Sequence, residues 1–438
     1  MYLMQDYLAP RAEAAVFTDE QWLAALLAFE SQLAQAQAEC GLIPQAAADA
    51  ITLACDSVAL DRDSFAAQAR HSGAVGLALT RPLQQWLAAH APQALPWLHW
   101  GTTTQDAVDT AHAMLTRDAL AQLQSALESL CAPLERLARE HAQTPLLARS
   151  LLQPAQVTSF GFKCAQALAA LRRSREALRG LSASALCVQL GGAIGNRAAF
   201  GQHGAKLEAA LARRLQLHPA GHAWHTQRDH WMRLAMEVAI CSGGLAKLAK
   251  DWALLAQCEV GEISEAARGA TSSAMPHKRN PVHCMQAIAQ TQAVPHIASL
   301  LLSCMAQAHE RALGEWQAEV AHWASLWQHA IAACQALAQA ASGLQVHAGR
   351  MQANIDALQQ VIFSEGLAQA LAPFVGADQA ASLVAQQSEI ALAASRPLSE
   401  LLMQHAAQPE ARRALAEATD LQRAVLASAA ACHDLLKE

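Results

Sequence analysis

Leucine and tryptophan recur along this chain at alternating steps of three and four, a spacing that gathers them on one face of a helix. Leu120, Leu123, Leu127, Leu130, Leu134 and Leu137 make a heptad-like seam, with distortion expected at Pro133. Leu245, Leu248, Trp252 and Leu255 repeat the pattern, as do Val320, Trp323, Trp327 and Ile331. Long helices with such seams need helical neighbours, so the middle of the chain predicts an extended bundle. Thr18 and Gln21 form a capping box that opens a helix carrying Trp22, Leu26, Phe29 and Leu33. Pro44, Gly73, Pro82, Pro92 and Pro96 then break the first hundred residues into shorter helices, and Pro373, Pro397 and Pro409 do so near the other end. The pattern predicts three helical domains: 1–105, a central long-helix bundle at 106–350, and 351–438.

Composition agrees with an all-α class. Of 438 residues 53% are hydrophobic but only 5% aromatic, and Ala and Leu dominate. With 21 Gly and 15 Pro, turns are too few for a β architecture. The net charge is −6 and the basic residues are dispersed, which argues against nucleic acid as a partner. No apolar run approaches the 18 or so residues of a membrane span, and no basic segment followed by an apolar core opens the chain. Eleven cysteines without a CxxC pair suggest reduced thiols and a cytoplasmic setting. His218 and His222 are four apart, but Pro219 and Gly221 between them spoil a helical ligand pair, so no metal is expected.

The densest chemistry lies in Thr271-Ser272-Ser273-Ala274-Met275-Pro276-His277-Lys278-Arg279-Asn280-Pro281. Pro276 and Pro281 exclude a helix interior, and the absence of alternation excludes a strand. The run reads as a loop whose Pro281 starts the next helix. So many donors suit an anionic substrate on which charge develops; a basic surface loop is the competing reading.

From Ser272 to Pro281 the run resembles the signature loop of the fumarase/aspartase superfamily, Gly-Ser-Ser-x-Met-Pro-x-Lys-x-Asn-Pro, with Thr271 in place of its Gly. That replacement implies a stiffer loop. His99-Trp100-Gly101-Thr102-Thr103-Thr104-Gln105-Asp106 resembles the first signature region, where a hydroxyl pair binds substrate carboxylate; the same residues are also good helix caps. The segments around Trp224-His225-Thr226-Gln227-Arg228 and His309-Glu310-Arg311 look most like the carboxymuconate cycloisomerase branch. Arg228 and Arg311 can each meet a carboxylate as a bidentate fork, or else pair with Asp229 and Glu310 on a helix surface. Gly191-Gly192-Ala193-Ile194-Gly195 lacks the context of a phosphate loop and reads as a close backbone approach.

The resemblance implies no cofactor, a small polycarboxylate substrate, and a homotetramer whose active sites are shared between copies. It assigns proton transfer at carbon to Ser272, with Ser273 as the fallback, and stabilisation of the serine to Lys278. His99, Thr103, Thr104, Gln105, Gln153, Arg228, Met275, His277, Asn280 and Arg311 would line the substrate site. His141, His277 and His309 stand as secondary acids or bases. In amine-eliminating relatives a His precedes the Gln that corresponds to Gln153; here Leu151 occupies its place. Losing such an acid costs roughly 10²–10⁴ in rate when an amine must leave, whereas a carboxylate departs or attacks without a proton. Leu151 thus argues against amine elimination and for an anionic leaving group or nucleophile; the resemblance implies an internal carboxylate adding across a carbon–carbon double bond through an enolate-like intermediate. The alternatives are a fumarate-forming lyase with an anionic leaving group, then an adenylosuccinate lyase, then an idle structural protein on the same fold.

Overall fold

The computed structural model describes residue 8, residues 16–265, residue 275 and residues 278–437. The capping box is present: Gln21 N–H donates to Thr18 Oγ1 and Thr18 N–H to Gln21 Oε1, both at 3.2 Å. It opens α1 (Asp19–Glu39), which buries Leu26, Phe29 and Leu33. Then come α2 (Gln45–Ser57), α3 (Arg62–Ser72), α4 (Val75–His90) and a 3-10 turn at Pro92–Trp97. Pro44 caps α2, and Gly73 ends α3 in the left-handed region. Pro82 does not break the chain as expected. It lies inside α4, where fully buried Leu79, Leu83 and Leu87 hold the helix together despite the missing donor.

The long helix α5 (Thr104–Glu140) runs unbroken through Pro133 and buries its whole leucine seam. A hairpin follows, β1 (Pro145–Ser150) and β2 (Gln153–Ser159), paired antiparallel. Next are α6 (Phe160–Ala185), α7 (Gly204–Leu215), α8 (Asp229–Leu255) and a short strand, β3 (Ile263–Ser264). α9 (Val282–Ser303) and α10 (Glu315–Ser342) lead to β4 (Gln345–Val346), which pairs with β3. Six shorter helices close the chain: α11 (Ala348–Asp356), α12 (Ser364–Val375), α13 (Ala377–Ala394), α14 (Leu398–Met403), α15 (Pro409–Ala418) and α16 (Leu421–Leu435). The architecture is all-α, and the hairpin is its one substantial departure.

Packing divides the chain into two compact units. One comprises 1–126, 174–243 and 289–334; the other comprises 127–173, 244–288 and 335–438. The divisions fall inside α5, α6, α8, α9 and α10. In the first unit Trp231 and Trp323 stack at 4.0 Å between ring centroids, and Trp323 Nε1 donates to Thr116 Oγ1 at 2.8 Å. In the second, the hairpin rests on α11 and α16, and Leu367, Leu371, Leu398, Leu402 and Leu415 form a terminal core.

The hairpin turn is Leu151–Leu152, both at positive φ (52° and 65°) and both largely exposed. Two-residue turns of this hand favour Asn and Gly, because a Cβ crowds the following carbonyl. No turn signal therefore marks this hairpin in the sequence.

Candidate active site

The head of α5 is organised by a single carboxylate. Asp106 N–H donates to Thr103 O at 3.0 Å, and Thr103 N–H returns a bond to Asp106 Oδ2 at 3.1 Å, a helix-start cap. Asp106 is fully buried and accepts three further donors: Gly191 N–H at 2.9 Å, Gly192 N–H at 2.9 Å, and His225 Nε2 at 2.7 Å. The glycine run is thus a close backbone approach. A Cβ on Gly191 would lie 2.3 Å from His225 Cε1, and Gly192 has φ +68°.

Beside this carboxylate stand several partly exposed polar side chains of the first unit. Thr103 and Thr104 lie at the start of α5. Arg311 donates from Nη2 to Gly192 O at 2.6 Å and from Nη1 to Glu310 O at 2.9 Å. Burial pulls Arg311 below its ordinary value, while the Asp106 and Asp109 charges oppose that shift. His99 lies in the turn before α5, where Thr102 Oγ1 donates to its carbonyl at 3.0 Å. Its Nδ1 is 2.5 Å from buried Glu30. Burial disfavours the imidazolium, but the Glu30 charge and hydrogen bond outweigh it and raise His99 above its ordinary value.

Two of the expected substrate ligands, Gln105 and Arg228, are buried and paired within the protein. Gln105 is buried and donates to Asp109 Oδ2 at 3.1 Å and His225 O at 2.8 Å. Arg228 does not make the surface pair with Asp229. Its guanidinium is buried, donating to Asp109 Oδ2 at 2.7 Å and through Nε and Nη2 to Glu319, with Trp224 4.6 Å from its carbon. Burial works against this charge, yet Asp109 and Glu319 raise Arg228 above its ordinary value. One cation between two carboxylates compensates them unequally. Against its burial, Asp109 is lowered by Arg228, whereas burial pushes Glu319 up.

The second unit carries the hairpin and the residues that flank the signature loop in sequence. Exposed Gln153 opens β2 opposite Ser150, next to the turn bearing Leu151. Arg149 on the same hairpin makes a bidentate pair with fully buried Glu262, at 2.9 and 2.8 Å. Asn354 Nδ2 also donates to Glu262 at 2.9 Å. Ser264 Oγ lies 2.9 Å from His347 Nε2. Glu265 caps α9, accepting from His283 N–H at 3.0 Å, Cys284 N–H at 2.9 Å and His283 Nδ1 at 2.8 Å. Met275, Lys278 and Asn280 are exposed, and Lys278 N–H donates to Met275 O at 3.0 Å. Thr271, Ser272, Ser273 and His277 lie outside the described residues. Among the accessory histidines, His141 Nδ1 is 3.0 Å from Thr144 Oγ1, and His309 adopts φ +51°.

Sequence reasoning treated Asp106 only as part of a recognition segment and a cap, and it missed Glu262 and Glu265. Their partners are distant in sequence or backbone amides, which leave no local signature. Among the described residues no group of three or more His, Cys, Asp or Glu could hold a metal. The first unit offers two hydroxyls and a guanidinium on a rigid frame, a donor set that fits carboxylates.

Comparison with known proteins gives the same direction. A lyase family model matches residues 11–294. The 3-carboxy-cis,cis-muconate cycloisomerase of Pseudomonas putida is 36% identical over 405 residues, covering 91% of this chain and 95% of that protein. A nitrosuccinate lyase of Streptomyces davaonensis is 36% identical over 417 residues, covering 93% and 87%. The crystal structure of 3-carboxy-cis,cis-muconate lactonizing enzyme from Pseudomonas putida superposes with a TM-score of 0.88 at 34% identity, covering 99% of this chain and 98% of that one.

Proposed function

Because this chain belongs to the lyase family, within the fumarase/aspartase superfamily, we propose that it is a cycloisomerase acting on 3-carboxy-cis,cis-muconate. One carboxylate of the substrate adds across a carbon–carbon double bond, closing a lactone, and carbon then takes a proton from Ser272, with Ser273 as the fallback donor. Lys278 stabilises the serine oxyanion left behind. Thr103, Thr104, Arg311, Gln153 and Asn280 hold the carboxylates, and the enolate-like charge spreads into donors around them. Met275, His277 and His99 complete the lining. No cofactor takes part.

The observation that carries this reading is the likeness to 3-carboxy-cis,cis-muconate cycloisomerases along nearly the whole chain, and Leu151 adds an argument against amine elimination. A hydrocarbon side chain stands where amine-eliminating relatives place a histidine, and a carboxylate nucleophile needs no proton from that position. The second reading is a lyase that expels a stable anion, which the likeness to a nitrosuccinate lyase supports. Adenylosuccinate cleavage ranks third, because its leaving amine needs an acid. The enzyme works as a cytoplasmic homotetramer with active sites shared between copies; light scattering at micromolar concentration tests the tetramer.

The decisive experiment follows ultraviolet absorbance with 3-carboxy-cis,cis-muconate, nitrosuccinate and adenylosuccinate in parallel. Loss of muconate absorbance that vanishes in Ser272→Ala supports the first reading. Turnover of adenylosuccinate alone would overturn both it and the argument from Leu151.

A further inference from the structure

Four segments far apart in sequence meet around one glycine residue, Gly192, and the carboxylate of Asp106. Gly192 N–H donates to Asp106, which also accepts Thr103 N–H, Gly191 N–H and His225 Nε2. The carbonyl of the same glycine accepts Arg311 Nη2 at 2.6 Å. Thr103 and Arg311, two of the expected anion-recognition groups, are therefore joined through Asp106 and Gly192.

We infer that Asp106 is a positioning residue for carboxylate recognition, holding Thr103 and, through the backbone of Gly192, Arg311 in a common register. The inference rests on the proposed role of Thr103 and Arg311 in binding a polycarboxylate. Asp106 itself is out of reach of substrate, being fully buried with both oxygens occupied. Two of its donors are backbone amides of one glycine pair, so its loss releases a loop and not merely a side chain. Left without their acceptor, the Gly191 and Gly192 amides turn to other partners, and the Gly192 carbonyl turns with them. Arg311 then loses the contact that aims its fork. His225 clamps the arrangement from the other side: its ring packs so closely on Gly191 that no side chain fits between them. A recognition group displaced by about 1 Å loses much of its value, which makes a frame of this kind consequential for binding.

The test is a double-mutant cycle of Asp106→Asn and Arg311→Lys, read in the Kd of propane-1,2,3-tricarboxylate by calorimetry and competition. Each single variant should weaken binding tenfold or more. The double variant should bind about as weakly as the worse single one, because both changes disable the same contact. Losses that multiply, or an Asp106→Asn protein with wild-type Kd, would overturn the inference. So would a wild-type protein that ignores the tricarboxylate at millimolar concentration.

A second pair guards against a variant that fails to fold. His225→Gln keeps a donor to Asp106 and should retain most of the binding, whereas His225→Leu should lose about as much as Asp106→Asn. Equal Kd values for these two would count against the inference. Wild-type binding without muconate turnover would leave it standing and remove the substrate assignment. Turnover with a multiplicative cycle would do the reverse.

Discussion

Asp106 and Asp109 stand one helical turn apart at the head of α5, both fully buried, and they serve different masters. Asp106 accepts three backbone amides and an imidazole. Asp109 accepts side chains alone: Gln105 and Gln189 at 3.1 Å, Arg228 at 2.7 Å and Trp316 Nε1 at 2.9 Å. The first ties the Thr103 and Gly191–Gly192 backbone together, and the second ties side chains in the core.

That division predicts the behaviour of Arg228. Arg228→Met should destabilise the protein by about 3–5 kcal/mol, because two buried carboxylates lose their only shared cation. Urea unfolding measures the loss. The fraction that stays folded should keep a KM within a few-fold of wild type. A large rise in KM with unchanged stability would return Arg228 to the substrate site.

His112 predicts a stability that falls with acid. It is buried among aromatic rings, 4.4 Å from Trp22 between centroids, and neither ring nitrogen has a hydrogen-bond partner among the described residues. Burial, aided by the Arg228 charge and opposed by Asp109, pulls it down to about 3 from an ordinary 6.5. Between those values the unfolded chain binds a proton that the folded one refuses. Stability therefore rises with pH from 3 to 6.5, by up to about 1.4 kcal/mol per unit, and is lost as pH falls through that window. Urea midpoints at pH 7 and pH 5 should differ less in His112→Phe than in wild type. A parallel fall in both would assign the acid sensitivity elsewhere.

The seams, the capping box and the bundle were legible in the sequence because a helix writes its burial pattern into neighbouring residues. Leu123, Leu127 and Leu130 need only one another to be read. The glycine run was likewise legible as a close approach, though not what approached it. The buried partners of Arg228 were not legible, for a physical reason. A guanidinium suits a substrate carboxylate and a buried Asp109–Glu319 pair equally well, and only packing distinguishes them. Pro82 was misread because buried leucines on either side outweigh one missing donor.

The Leu151–Leu152 turn should tighten when given the residues its backbone prefers. Leu151→Asn with Leu152→Gly removes two left-handed leucines, each costing roughly 1–2 kcal/mol against residues suited to that region. Thermal unfolding should move upward. A downward shift would mean that the two leucines gain more from a partner surface than they lose to their own backbone.

On the proposed role of Ser272 as proton donor to carbon, Ser272→Ala should lower kcat by roughly 10²–10⁴. Binding of propane-1,2,3-tricarboxylate should change little. Ser273→Ala should be much the milder variant, and the opposite order would pass the proton to Ser273.

The frame around Asp106 also sets an order of events in folding. Its partners lie 85 and 86 residues away at Gly191 and Gly192, and 119 residues away at His225. Helices close by short-range contacts within microseconds, whereas an anion cradle assembled from such separations must wait for long loops to close. On dilution from denaturant, helicity returns before the capacity to bind an anion. During that interval the chain is helical and blind to its substrate.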